Sequence, residues 1–324
     1  MKDGKLSNEN LEKILFNKIK IKNKEVMIGA GIGKDTAMLD FKNDLFIIST
    51  DPITGSKNGI GKLCVNISCN DIATAMARPV AMMITMLIPT YAKIKDVEEI
   101  IDEILLTCDE NDVDLIGGHT EVTSSVNKFI LSGVCIGKKE KRKGSSPRAG
   151  DKIVMSKYAG LEGSAIAALD LEEEIKKILS DDELKRMKEL INHTNVIKEG
   201  LIAKDHEVSL LHDATEGGVL GGVWEMATNS DLGAVINIDE IPILNETKKI
   251  AEHFDIDPYK LISSGVMLFI TTKDKELIEA LKKENIPANT IGYLTEEKEI
   301  YTIKNNKKEL LEPPKQDELY KIIK

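Results

Sequence analysis

Three aspartates stand at points where this chain could hold a cation. Asp35 closes the glycine-rich run GAGIGKD at 29–35, Asp51 ends the apolar segment DLFIISTD at 44–51, and Asp71 lies inside VNISCNDIATAMARP at 65–79. Magnesium takes a few carboxylates and fills its remaining positions with water and phosphate oxygens. Singly, each acid reads as the cap of a turn or a helix end; converging, the three read as a magnesium shell. The segment around Asp71 adds a second demand. Lys62, Asn66 and Asn70 recur at i, i+4 and i+8, so on a helix they form one slowly drifting stripe among apolar neighbours. That stripe suits phosphate or metal-bound water. The alternative is a set of amides hydrogen-bonded to neighbouring loops, because buried amides find partners.

Two further stretches set histidine beside acid and glycine: GGHTE at 117–121 and HDATEGG at 212–218. Glycine loops offer backbone N–H groups to phosphate oxygens, and His119 or His212 reads as a ligand or proton carrier. For His212 a hydrogen-bonded loop histidine is an equal reading. GAGIG resembles part of a dinucleotide fingerprint, but no clear strand precedes it in a βαβ unit, and GAGIGKD is not a Walker A loop.

These residues need elements to carry them. The periodicity predicts an amphipathic helix over 8–20 (Leu11, Ile14, Leu15, Ile19), a strand at 44–51 and a helix at 61–77. A strand follows at 80–88, a helix at 96–110, a strand at 113–122 running into a Gly-Gly loop, and a strand at 128–137. KKEKRKGSSPRAG at 138–150 shifts the composition sharply and marks a boundary between domains 1–145 and 146–324. The second half restarts with a strand at 151–157, a glycine loop opening a helix, and a charged helical region over about 171–204. It continues with strand, acidic turn and helix over 208–227, then GAVINI, a helix near 247–254, GVMLFIT, a helix at 274–284 and closing strands at 288–293 and 299–304. Both halves mix strands and helices, which predicts two α/β (α+β) domains and excludes a single Rossmann unit.

The bulk numbers bound the partners. With 324 residues and 42% hydrophobic content the chain can bury a sizeable core, and a formal net charge of −10 argues against nucleic acid. The longest apolar stretch, Pro79–Pro89, is too short to span a membrane. The N-terminal residues lack the apolar core of a signal peptide. Cys64, Cys69, Cys108 and Cys135 show no CxxC spacing, which predicts reduced, buried thiols in a cytoplasmic protein.

In this order, the motifs GKDTAML (33–39), STD (49–51), IGKLCVNISCNDIATAMARP (60–79), GGHTE (117–121), GDKIVMSK (150–157) and HDATEGGVLGG (212–222) make the chain similar to the AIR-synthase-like ATP-binding superfamily. The helix segment and HDATEGG resemble the HypE branch of hydrogenase maturation factors. The resemblance implies a homodimer whose N-terminal domains share a β-barrel, with α/β C-terminal domains outside it. ATP would lie in a cleft with magnesium on its phosphates. Carried over by motif, Asp35, Asp51 and Asp71 become metal ligands. Lys34, Lys62, Asn66, Asn70, Gly117, Gly118, Thr120 and Glu121 become nucleotide contacts, and Asp51, His119 and Asp213 the catalytic set. The implied chemistry is activation of an amide or similar oxygen by phosphoryl transfer, with a maturation protein as an implied partner. That branch carries a terminal cysteine, and no cysteine follows Cys135 here, so the acceptor stays open. A small-molecule synthetase or kinase of the same superfamily, or a non-catalytic nucleotide-binding partner protein, is the alternative.

Overall fold

The computed structural model describes residues 4–5, 10, 12–28, 38–42, 44–140, 144–314 and 316–323. The chain forms two compact units, Met1–Ile72 with Ala77–Lys141, and Ala73–Met76 with Arg142–Lys324.

The first unit is built on a five-stranded sheet. Its strands are β1 (Gly4–Lys5), β4 (Leu45–Ile53), β5 (Arg78–Pro89), β6 (Asp114–Thr123) and β7 (Ile130–Lys139). A separate antiparallel pair, β2 (Val26–Ile28) and β3 (Met38–Leu39), flanks the glycine-rich segment. The sheet order is β1-β6-β5-β7-β4, antiparallel except for the β5–β6 pair. Parallel pairing requires a crossover, and α2 (Ile94–Glu110) supplies it between β5 and β6. Helix α1 (Ile60–Thr74) connects β4 to β5. Among the described residues the sheet ends in two edges, β1 and β4, and forms no closed barrel in the single chain.

Two glycines of β7 set how closely α1 approaches the sheet. A Cβ at Gly133 would lie 2.3 Å from Ser68 Oγ, and one at Gly137 would lie 2.2 Å from Ile72 Cγ2. The other flank of α1 meets α2 at Gly61, where a Cβ would fall 2.6 Å from the Ile100 carbonyl oxygen. With the sheet on one side and α2 on the other, α1 is buried over most of its length, including Cys64, Val65, Asn66, Ile67, Ser68, Cys69 and Asn70.

The structure departs from the sequence reading in three places. The predicted helix over 8–20 is a single π-turn at Glu12–Phe16, anchored by buried Ile14; Leu11 lies outside the described residues. Beyond it the chain extends so that the N–H groups of Lys22 and Asn23 donate to the buried Asp114 carboxylate at 2.7 and 2.8 Å. Second, Gly117 and Gly118 are not a loop. β6 runs through them, with Ile116 bulged between the Met82–Leu115 and Met83–Gly117 pairs. Gly118 adopts φ +147, and a Cβ there would lie 2.0 Å from the Ile84 carbonyl oxygen, so glycine is required. Third, a strand beyond the predicted pair closes the second unit. Lys307–Leu310 pairs with Ile300–Lys304 through a turn in which Asn305 and Asn306 have φ 49 and 62, the left-handed pair that a two-residue hairpin needs.

The second unit has a seven-stranded sheet of β8 (Lys152–Ser156), β9 (Val208–Asp213), β10 (Gly233–Asn237), β11 (Met267–Thr271), β12 (Ala288–Thr295), β13 (Ile300–Lys304) and β14 (Lys307–Leu310). Their order is β14-β13-β10-β12-β8-β11-β9, with β10–β13 the one parallel pair. Its helices are α3 (Leu161–Asp170), α4 (Glu172–Ile175), α5 (Asp181–Glu189), α6 (Ile197–Ala203), α7 (Gly218–Asn229), α8 (Asn245–Phe254), α9 (Asp274–Lys283) and the short α10 (Leu319–Ile322). A core of Ile153, Met155, Val219, Val223, Leu268 and Ile291 joins α7 to the sheet.

Candidate functional site

Strand β4 alternates between an inner face toward α1 and an exposed outer face, as the two-residue period requires. Ile47, Ser49, Asp51 and Ile53 point inward, while Phe46, Ile48, Thr50 and Pro52 are exposed. Asp51 stands opposite Gly133, and the row continues across the sheet through Ile84 to Gly118. Cys64 and Ser68 of α1 cover Gly133. Ser49 Oγ donates to the Ser68 carbonyl oxygen at 3.1 Å, fixing the strand to the helix. Within this packing Asp51 Oδ2 and Ser68 Oγ are buried without a hydrogen-bond partner. Burial and the neighbouring Asp51 charge push the Cys64 thiol up to about 12. A buried carboxylate oxygen without a donor is costly, and a cation at Asp51 Oδ2 would remove that cost. The chemistry of this position therefore fits a metal.

Asp71 follows Ser68 by three residues, so it lies one helical turn from the point where α1 meets Asp51. It is half-buried and Asn70 is fully buried. The predicted stripe divides here. Asn66 Oδ1 accepts from Asn111 Nδ2 at 2.9 Å at the C-terminal end of α2, and Lys62 Nζ lies 3.9 Å from the Glu110 carboxylate on the same helix end. The protein partners foreseen as the alternative are thus present for Lys62 and Asn66. Lys34 and Asp35 lie outside the described residues. Among the described residues no group of three or more His, Cys, Asp or Glu side chains is arranged to hold a metal.

The pleat of β6 also divides the GGHTE motif. Gly118 and Thr120 pair with Ile84 and Met86 on the inner face, the face that carries Asp51. Gly117, His119 and Glu121 pair with Met83, Thr85 and Leu87 on the outer face, where His119 Nε2 lies 3.1 Å from Glu121 Oε2. With strands roughly 4.8 Å apart, Asp51 and Gly118 are about 14 Å apart across three strand steps. That is too far to share one ion, and near enough to contact two parts of one extended ligand.

In the second unit Asp213 ends β9, buried, and the chain turns through Gly217 and Gly218 (φ 81 and 62) into α7. His212 is partly exposed on strand β9, paired with Leu268 and not on a loop, and its Nε2 lies 2.7 Å from Glu225 Oε2. Sequence reasoning missed three buried groups beside this turn: Glu162 in the first turn of α3, Ser264, and Asp317. Asp317 Oδ2 accepts from the Gly217 N–H at 2.7 Å, and its Oδ1 accepts from Leu319 at 2.7 Å and Ile262 at 3.3 Å. Burial, with the charges of Asp317 and Asp213 nearby, pushes the Glu162 carboxyl up to about 7 against the lowering action of Ser264. The available signals were the paired glycines around Glu162 and the SSG at 263–265.

Residues 33–138 match the family model described as AIR synthase related protein, N-terminal domain, and residues 148–305 match the corresponding C-terminal domain. The chain is similar to a protein of Methanocaldococcus jannaschii named for hydrogenase expression and formation, at 28% identity over 91% of this chain and 89% of that protein. It is also similar to the thiamine-monophosphate kinase of Buchnera aphidicola (27%; 86% and 88%) and the carbamoyl dehydratase HypE of Rhizobium leguminosarum (23%; 75% and 70%). Among solved structures, E. coli HypE has the same fold, with TM-score 0.82 at 19% identity over 98% of this chain and 100% of that one. HypE in complex with ATP (TM-score 0.76, 19%; 97% and 96%) and HypE in a HypE–HypF complex (0.70, 19%; 94% and 99%) also share it.

Proposed function

Because the chain belongs to the AIR synthase related family, we propose that it is an ATP-dependent enzyme of the HypE-like branch, activating an oxygen of an acceptor by phosphoryl transfer. The observation that carries this reading is Asp51 Oδ2, a buried carboxylate oxygen without a hydrogen-bond partner on the inner face of the sheet. Asp51, with Asp35 and Asp71, would hold magnesium. The bound ion would neutralise charge on the phosphates and on the transferred phosphoryl group. Lys34, Asn70, Gly118 and Thr120 contact the nucleotide in this reading, and Asp213 is the catalytic candidate within the second unit. Lys62 and Asn66 act indirectly, holding α1 against α2. The similarity to HypE–ATP and HypE–HypF complexes supports ATP as the nucleotide and a maturation protein as partner.

The outer face of the first sheet supports a homodimer. Ile48 is 58% exposed and Phe46 51%, with Val134, Met83 and Leu87 on the same face. An apolar sheet face of this kind calls for cover, and a second copy pairing face to face would complete the implied barrel. His119 and Glu121 lie on that face, so in the dimer they stand at the subunit boundary.

The test is release of ADP or phosphate by the purified protein with Mg-ATP and candidate acceptors, including protein carboxamides, thiamine phosphate, selenide and ribonucleotide amidines. The Asp51→Asn variant should lose turnover while keeping the wild-type unfolding midpoint. Full activity in that variant would remove the metal assignment. Thiamine phosphate as the productive acceptor would move the chain to the kinase reading that the Buchnera relative favours.

A further inference from the structure

Glu162 and Ser264 are held together by the backbone around them. The Gly163 N–H donates to the Ile262 carbonyl oxygen at 3.0 Å, and the Gly160 N–H donates to Ser263 Oγ at 2.7 Å, so the 261–265 segment lies against the first turn of α3. Gly163 permits this approach, since a Cβ there would sit 2.4 Å from Leu261 Cγ. Glu162 is 3% exposed and Ser264 0%; Ser264 lies within reach of the Glu162 carboxyl and lowers its pKa, yet Glu162 Oε2 and Ser264 Oγ are left without a well-aligned hydrogen-bond partner. The charges acting on Glu162 are those of Asp213 and Asp317, and both are negative. Asp317 is already satisfied by three backbone N–H groups, so it contributes field and offers no spare oxygen. The unmet need is for a donor, and the field around it favours positive charge.

We propose that Glu162 Oε2 and Ser264 Oγ, beside Asp213, form a subsite for a protonated nitrogen, an ammonium or amidinium group carried by the substrate. The nitrogen donates one N–H to Glu162 Oε2 and a second to Ser264 Oγ. Asp213 and Asp317 stabilise the cation at longer range. A carboxylate or phosphate is excluded by the same field. The proposal rests on the enzymatic reading for calling the ligand a substrate, while binding itself does not depend on turnover.

The probe is acetamidinium chloride, with tetramethylammonium chloride as an equal charge lacking N–H and acetamide as an uncharged N–H donor. Thermal unfolding of the full chain without nucleotide is read at pH 6 and pH 8. Acetamidinium at saturation should raise the midpoint by about 3 °C, more at pH 8, where Glu162 is ionised, than at pH 6. Tetramethylammonium should give no rise. Glu162→Gln and Ser264→Ala should each remove most of the acetamidinium effect. Equal shifts for acetamidinium and tetramethylammonium in the wild type, or an undiminished shift in a folded Glu162→Gln variant, overturn the subsite. A shift from acetamide alone overturns the cation and leaves an amide site. Because no ATP is present, these outcomes stand apart from failure of the turnover assay.

Discussion

Asp51 of β4 stands directly opposite Gly133 of β7, and the missing side chain at 133 is what lets Ser68 of α1 reach the sheet beside the carboxylate. Gly133→Ala places a carbon 2.3 Å from Ser68 Oγ. The helix must then move, and the expected cost is about 1–3 kcal/mol in urea unfolding. Ser68→Ala alone removes a hydroxyl with no partner and should be near neutral. The double variant should regain part of the loss. A neutral Gly133→Ala would show that α1 does not depend on this close approach.

The Glu162 carboxyl titrates near 7 in the folded chain because it is buried near Asp317 and Asp213. Its folded value is raised, so the folded state binds more protons than the unfolded state between about 4.5 and 7. The stability tied to this group is complete below about pH 4.5 and falls as pH rises through 7, by roughly 3 kcal/mol in all. Glu162→Gln should flatten that part of the stability curve measured by denaturant at a series of pH values. An unchanged slope between pH 5 and 8 would remove the assignment.

Lys157 follows β8 with a left-handed backbone (φ 54), and its ammonium is buried against Glu199 at 2.5 Å. It also donates to the carbonyl oxygens of Asn195 and Gly265 at 2.6 and 2.8 Å. Lys157→Met leaves Glu199, 2% exposed, as an unpaired buried charge, and should cost about 3–5 kcal/mol. Adding Glu199→Gln should return most of it. A double variant no more stable than the single would mean that the carbonyl contacts, and not the ion pair, dominate.

If the proposed face-to-face dimer forms, Ile48→Lys, on the exposed face of β4, should leave the unit folded and give a monomer where the wild type is a dimer in light scattering at micromolar concentration. If wild type is already monomeric there, face-to-face pairing is not the assembly.

Much of the fold was legible because it depends on local periodicity. β4, α1, β5 and α2 each lie within a few residues of their predicted bounds, and the paired domain matches follow the motif order. What sequence could not show was which polar residue meets which. Asn66 satisfies its amide on Asn111, 45 residues away, a contact set by the crossing of two helices and not by spacing along either one. The GGHTE motif reads as a loop because glycines usually punctuate. Here they permit a bulge inside a strand, and the strand then sends His119 and Thr120 to opposite faces. The Asn305–Asn306 turn carried a usable signal, since asparagine tolerates the left-handed conformation. Glu162 had only weak notice: nothing local announces that a glutamate in a helix's first turn will be buried.

All four thiols of the chain are buried in the first unit, and the Sγ atoms of Cys69 and Cys135 lie 3.8 Å apart across α1 and β7. Burial holds Cys64 and Cys108, and the contact with Cys135 together with burial holds Cys69, far from their reactive thiolate forms. The native protein should therefore ignore aromatic disulfide reagents and yield four equivalents only on denaturation. Partial labelling would become a clock for how often the helix bearing Asn70 and Asp71 lifts from its sheet, readable without a ligand or an added probe group.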